Sequence, residues 1–221
     1  MPLGDARDDN ASTGYIIDGT STLAIQNGSQ VKFNSHVNGT GTISTDTSGN
    51  AFSFTSNNAG DNFTGILALG DSTFDLSGLN TQALARATLR VRTDSITTVG
   101  AGEQRIGSLT FAGGTVDFGS VAPGNTLAEN RVQTTRDLDL NGQGTIKVGV
   151  DAMVNEYPAA ANNLPLLSQD DANTTIKLAG SDGTVTGNGG SLTLTDASGN
   201  VITDAVTDSI TQNGTEVAQG T

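Results

Sequence analysis

Between Ser108 and Ser120 the chain reads SLTFAGGTVDFGS, with apolar and polar positions alternating on both sides of a bare Gly-Gly. Leu109 and Phe111 share one face of the first run, and Val116 and Phe118 share one face of the second. Alternation of period two marks a half-buried strand. Two such runs about a two-residue turn read either as a β-hairpin or as one corner of a chain that coils. Recurrence decides between the two.

The same unit is found upstream. LALGDSTFDL gives Leu67-x-Leu69 and then Phe74-x-Leu76, and LRVRTDSITT gives Leu89-x-Val91 and then Ile96 with Thr98. In all three units the second apolar pair begins seven residues after the first, and the units start 22 and 20 residues apart. Looser copies are Leu23-x-Ile25 with Val31-x-Phe33, Phe52-x-Phe54, and Leu138-x-Leu140 followed by Ile146, Val148 and Val150. A meander of hairpins or an antiparallel sandwich needs no fixed period, whereas a coil of about 20–22 residues per turn does.

The pattern therefore predicts an all-β chain folded as a right-handed parallel β-helix. Each short strand pairs with its equivalent in the next rung at about 4.8 Å. Stacking the three aligned units predicts internal ladders of Leu67, Leu89 and Leu109; of Leu69, Val91 and Phe111; and of Phe74, Ile96 and Val116, with Phe118 beside the last. The Gly-Gly is then a corner, matched by Asp71-Ser72 and Thr93-Asp94 in the other units. Outside, Asp75, Thr97 and Asp117 fall in one column.

Residues 1–18 read as a flexible N-terminal segment or a truncated first rung, and 19–150 leave room for about six rungs. The texture then changes. Residues 151–165, DAMVNEYPAAANNLP, hold two of the four prolines and read as a break or linker. In 166–221, TTIKLAGSDGTVTG and GSLTLTDASGNVIT read as hairpins turning at Asp182-Gly183 and at Ser198-Gly199-Asn200. Such a C-terminal β-hairpin cap would cover the open end of the coil and its unpaired strand edges.

Composition narrows the function. With 29 Gly, no Cys, no Trp and 34% hydrophobic residues, a thin repetitive core suits the chain better than a thick one. The net charge of −13 argues against a nucleic-acid partner and against electrostatic docking on an anionic membrane. No apolar run approaches the roughly 18 residues of a membrane helix. MPLGDARDDN lacks the basic start and apolar middle of a signal peptide, so an exported protein would carry this sequence as a mature or excised region. The lack of Cys excludes disulfides and thiolate metal sites, and fits a chain kept unfolded in an oxidising compartment.

The wording of GSLTFAGGTVDFGS, NGQGTIKVGVD and TVTGNGGSLTLTDASGNVI resembles the C-terminal half of the passengers of type V autotransporters, the pertactin-like β-helical proteins of Gram-negative bacteria. The likeness runs from about residue 20 to 221. It implies a passenger exported through its own C-terminal outer-membrane barrel, folded at the cell surface or released. Residues from about 130 onward would then belong to an autochaperone that nucleates folding of the rest. The implied partners are that barrel, which does not follow here, and ligands on host or neighbouring cells or further copies of the passenger. EVAQGT stops short of a full cap on this pattern.

Candidate chemistry is sparse, and no catalytic residue, metal or cofactor is expected. The sole histidine, His36, lies beside a turn in KFNSHVNGTG, without the partners a catalytic or metal role needs. GDST at 70–73 echoes the nucleophile turn of a lipase family, but no histidine follows it. DARDDN and SQDDAN read as a tail and a loop, and no calcium-binding repeat of the Gly-Gly-x-Gly-x-Asp or EF-hand type occurs. The surface residues singled out are the basic cluster Arg86, Arg90 and Arg92, and the outward pair Asp75 and Asp117. The two carboxylates would stand two rungs apart, about 9–10 Å, near the upper limit for an inverting glycosidase. A structural and adhesive role is the expectation, and a polysaccharide-active enzyme the alternative.

Overall fold

Alternating apolar residues form strands here because each strand buries one face and leaves the other to solvent. The computed structural model describes residues 14–55, 62–120, 126–149, 176–187, 189–201, 209–212 and 215–219. The chain opens with β1 (Tyr15–Ile16), β2 (Thr22–Gln26), β3 (Val31–Phe33), β4 (Val37–Asn38), β5 (Thr42–Asp46) and β6 (Phe52–Phe54). It continues through β7 (Ile66–Leu69), β8 (Thr73–Leu76), helix α1 (Gly78–Ala83), β9 (Thr88–Arg92), β10 (Ile96–Val99) and β11 (Gly102–Ile106). Then come β12 (Ser108–Ala112), β13 (Thr115–Ser120), β14 (Thr126–Thr134), β15 (Leu138–Asp139) and β16 (Gly144–Gly149). The last strands are β17 (Ile176–Ser181), β18 (Val185–Thr186), β19 (Leu192–Thr195), β20 (Ser209–Gln212) and β21 (Thr215–Gln219).

The architecture is all-β with parallel sheets. Strands β2, β5, β7, β9, β12, β15 and β18 form one seven-stranded sheet in chain order. Strands β8, β10, β13, β16 and β19 form a five-stranded sheet, and β11, β14 and β17 a three-stranded one. Two parallel pairs, β1 with β4 and β3 with β6, complete the N-terminal part, and a bridge from Ala51 to Thr73 carries the second pair on to β8. A strand thus never pairs with its sequence neighbour, except β20 with β21. In particular β12 and β13, which flank Gly113-Gly114, lie in different sheets, so SLTFAGGTVDFGS turns a corner. Gly113 sits at φ 104°, where a side chain is strained, and a Cβ on Gly114 would meet the carbonyl of Arg92.

Register makes the core continuous. Leu23, Ile43, Leu67, Leu89, Leu109, Leu138 and Val185 occupy one column, at steps of 20, 24, 22, 20, 29 and 47 residues. The next column inward holds Ile25, Thr45, Leu69, Val91 and Phe111. Like sits on like, and Leu67, Leu69, Leu89, Val91, Leu109 and Phe111 are all buried. Phe74, Val116 and Phe118 are buried too. At the N-terminal end the rings of Tyr15, Phe33, Phe52, Phe54 and Phe74 follow one another at centroid separations of 5.3–6.3 Å.

One expected ladder residue is wrong. Ile96 points outward and is 45% exposed, while Thr97 takes the place between Phe74 and Val116 and is fully buried. From Val91 to Thr97 the chain takes six residues through Thr93-Asp94-Ser95, where the register-equivalent steps from Leu69 to Phe74 and from Phe111 to Val116 take five. Asp94 absorbs the extra residue at φ 65°, held by Ser95, whose amide and hydroxyl both donate to the Arg92 carbonyl. Shifting a strand by one residue exchanges its faces.

The expected C-terminal hairpin at Asp182-Gly183 is also corrected. Strands β17 and β18 flank Asp182-Gly183 but lie in different sheets, each parallel to an earlier strand, β14 and β15. Their hydrogen bonds are already taken: Asp182 N donates to the Thr134 carbonyl at 2.8 Å, and Leu138 N to that of Thr184 at 2.9 Å. Strand β19 adds in parallel to β16, and the Ser198-Gly199-Asn200 turn that follows it is closed by an antiparallel bridge from Thr195 to Val201 and by Asp196 N donating to the Asn200 carbonyl at 2.9 Å. An antiparallel pair does occur later, β20 with β21, and β20 lies against β17. The expected linker 151–165 and residues 1–13 of the expected N-terminal segment 1–18 fall outside the described residues, while Tyr15–Ile16 of that segment pairs in parallel with β4.

Helix α1 stands where a strand of the third sheet would otherwise run. Its Asn80 is buried and substitutes for backbone: the side-chain oxygen accepts from Phe54 N at 2.7 Å, and the amide donates to the Asp75 carbonyl at 2.6 Å. Gln104 does similar work, donating to the Ala101 carbonyl at 2.8 Å and accepting from Thr81 Oγ1 at 2.7 Å. Buried amides with every group paired are tolerated in such a core.

Candidate interaction surface

The outer side of the five-stranded sheet carries the candidate carboxylates. Register places Thr98, not Thr97, between Asp75 and Asp117, and continues the column through Lys147 to Thr195. The one-residue shift at β10 is the cause. Asp75 and Asp117 are thus two strands apart, about 9–10 Å at the usual spacing. Their oxygens have other duties. Asp75 Oδ2 accepts from Ser77 Oγ at 2.9 Å, Asp117 Oδ1 from Gly119 N at 2.8 Å, and Asp117 Oδ2 pairs with Lys147 Nζ at 3.2 Å.

The outer side of the seven-stranded sheet is built differently. The row through its middle reads Ala24, Ser44, Ala68, Arg90, Thr110, Asp139 and Thr186. Short side chains make it flat, and Arg90 and Arg92 are exposed on it. Arg92 Nη1 reaches across β7 to donate to Ser44 Oγ on β5 at 3.4 Å. Arg86 stands just before the same strand, and its carbonyl accepts from Arg136 Nη2 at 2.6 Å. The basic cluster read from the sequence is therefore a surface feature of this face, extended by Arg136.

A third polar group was not foreseen. On the outer side of β11, β14 and β17, Glu103 pairs with Arg105 at 3.1 Å and with Arg131 at 3.2 Å, and Arg105 also contacts Asp182. Gln133 Nε2 donates to the other oxygen of Asp182 at 2.8 Å. The Arg105 hydrogen bond, helped by Arg131, holds the Glu103 carboxyl below its ordinary value against the opposing effect of desolvation. The alternation in GEQRI marks Glu103 and Arg105 as sharing a face, but Arg131 and Asp182 join them only through strand pairing. These partners clamp three successive strands together.

The remaining candidates are structural. Ser72, in the GDST stretch, is fully buried, with its hydroxyl against Thr45 Oγ1 and accepting from Thr47 N, each at 3.2 Å. His36 is half-buried between β3 and β4, and its carbonyl accepts from Tyr15 N at 2.8 Å. Among the described residues no group of three or more His, Asp or Glu side chains is placed to hold a metal ion, and no helix is long and apolar enough to cross a membrane. DARDDN and SQDDAN lie outside the described residues.

No family model matches this chain, and no solved structure matches it. It is similar to two proteins of Escherichia coli (strain K12). The uncharacterized protein YuaQ is 41% identical over 207 residues, which cover 93% of this chain and 15% of the relative. The uncharacterized lipoprotein YdeK is 38% identical over 177 residues, covering 73% of this chain and 13% of the relative. The chain thus spans about one-seventh of the length of the curated relatives it matches.

Proposed function

We propose that the parallel sheets are the faces of one right-handed parallel β-helix, and that the chain is a piece of an autotransporter-type passenger. In this reading it is a stalk and folding nucleus, exported through a C-terminal outer-membrane barrel and displayed at the cell surface. The observation that carries it is the column from Leu23 to Val185, seven parallel strands added in chain order. Parallel strands need a crossover, and crossovers are right-handed in nearly every known case. Each turn buries little alone, and stacking supplies the core. The name lipoprotein on one relative supports an envelope location, and the length of both relatives supports a larger protein around this segment.

The C-terminal strands suit a folding nucleus. Strands β17, β18 and β19 pair with β14, β15 and β16, and the Glu103 clamp ties the last strand of its sheet to the two before it. The reading gives the chain no catalysis: Asp75 Oδ2 accepts from Ser77, and the two oxygens of Asp117 are engaged by Gly119 and Lys147. The test is display. An epitope inserted at the exposed corner Gly28 of the longer protein, expressed in Gram-negative cells, should be removed by protease added to intact cells. Removal only after the outer membrane is permeabilised would refute the export reading.

A further inference from the structure

Arg92 is held flat against the sheet. Its hydrogen bond to Ser44 carries the side chain across β7, and the outward-pointing Ala68 on that strand is only 6% exposed. The side chain thus spans β7 with its guanidinium at the surface. Arg90 lies two residues along the same strand, about 7 Å away, and its guanidinium has no hydrogen bond or ion pair among the described residues. The two carboxylates nearest in register are engaged elsewhere: Asp139 accepts from Asn141 and Thr186, and Asp46 from Ser48 N. In a chain of net charge −13, these two neighbouring guanidinium groups have no carboxylate partner among the described residues, whereas Arg105 and Arg131 are both ion-paired.

We propose that the face around Arg90 and Arg92 binds a linear anionic polysaccharide, one with carboxylate or sulfate groups spaced along it. Guanidinium presents a planar fork to such groups, and the ordered Arg92 has less side-chain freedom to lose on binding. The hydroxyls of Thr88 on the same strand, Thr110 on β12 and Ser44 on β5 surround the pair and supply donors and acceptors for sugar hydroxyls. Short side chains on either side leave a shelf along which a chain can lie. An acidic peptide fits less well: both edges of β9 are already paired, so no strand can be added, and the row offers no apolar pocket for an anchor. The proposal rests on this face alone and stands whether or not the export reading holds.

The test uses the purified chain at low ionic strength, with heparin-derived oligosaccharides and oligogalacturonate as probes and neutral dextran as control, read by calorimetry. Binding of either anionic sugar that weakens as salt is raised is expected. R90A/R92A should lower affinity by about tenfold or more with an unchanged far-UV spectrum, and R90K/R92K should retain part of it. K32A removes an exposed cation from β3 and should leave binding unchanged. Equal binding of dextran, equal affinity of R90A/R92A, or no binding of either anionic sugar would overturn the proposal. So would tighter binding of poly-glutamate than of both sugars, which would assign the face to an acidic protein.

Discussion

Thr97 is the polar flaw in an otherwise apolar column. It lies between Phe74 and Val116, which is followed by Ile146 and Leu194. It is fully buried, and its Oγ1 is the one buried side-chain polar atom without a hydrogen-bond partner among the described residues. Stripping a hydroxyl of water without replacing the bond costs about 1–3 kcal/mol. Thr97→Val keeps the branched shape, leaves no cavity and puts a methyl group where the hydroxyl was. The added apolar burial is worth under about 1 kcal/mol. We expect Thr97→Val to stabilise the fold by about 1–2 kcal/mol, read from urea unfolding followed by far-UV circular dichroism with an unchanged slope. Thr98→Val, on the exposed face of the same strand, should change stability by no more than about 0.5 kcal/mol. A Thr97→Val protein that is equally or less stable would refute the reasoning, since the hydroxyl would then have a partner.

Other outcomes follow from the same geometry. Leu89→Ala should cost about 2–5 kcal/mol in urea unfolding, and Ile96→Ala no more than about 0.5, because only the first faces the core. Gly114→Ala should destabilise by about 1–3 kcal/mol through the clash with the Arg92 carbonyl, whereas Gly28→Ala, with open space around it, should be near neutral by the same assay. The Glu103 carboxyl is held below 4.5, so the folded state binds fewer protons there than the unfolded chain. Its contribution is fully present above that value and is lost as pH falls through the lowered one. Glu103→Gln should therefore flatten the acid side of the stability profile and leave the difference constant from neutral pH upward.

What could be read from the chain, and what could not, follows from sequence distance. Leu67, Leu89 and Leu109 recur at steps of 22 and 20 residues, so their stacking was legible in the pattern. Leu138 and Val185 continue the same column at steps of 29 and 47, too irregular to reveal a period. Asp182-Gly183 reads as a hairpin tip in the sequence because the same turn residues serve hairpins and corners, and only the distant partners β14 and β15 distinguish them. Ile96 was misplaced because apolarity outweighed the length of one corner, and the buried residue proved to be a threonine. The Arg90–Arg92 pair was visible as a basic cluster, but the lack of a carboxylate beside it depends on registers that join strands across the sheet. The Glu103 clamp joins residues 77 positions apart and left no local signal beyond the alternation in GEQRI.

The central claim is that successive parallel strands stack along one axis. Spin labels at outward positions of the seven-stranded sheet measure this directly by double electron–electron resonance. From Thr186, Ser44 lies five strand steps away and Ala24 six, so the backbone separations should be about 24 Å and about 29 Å. Two narrow distributions whose means differ by about 5 Å are the predicted result. Equal means, or a separation well below that expected for five steps, would contradict the stack.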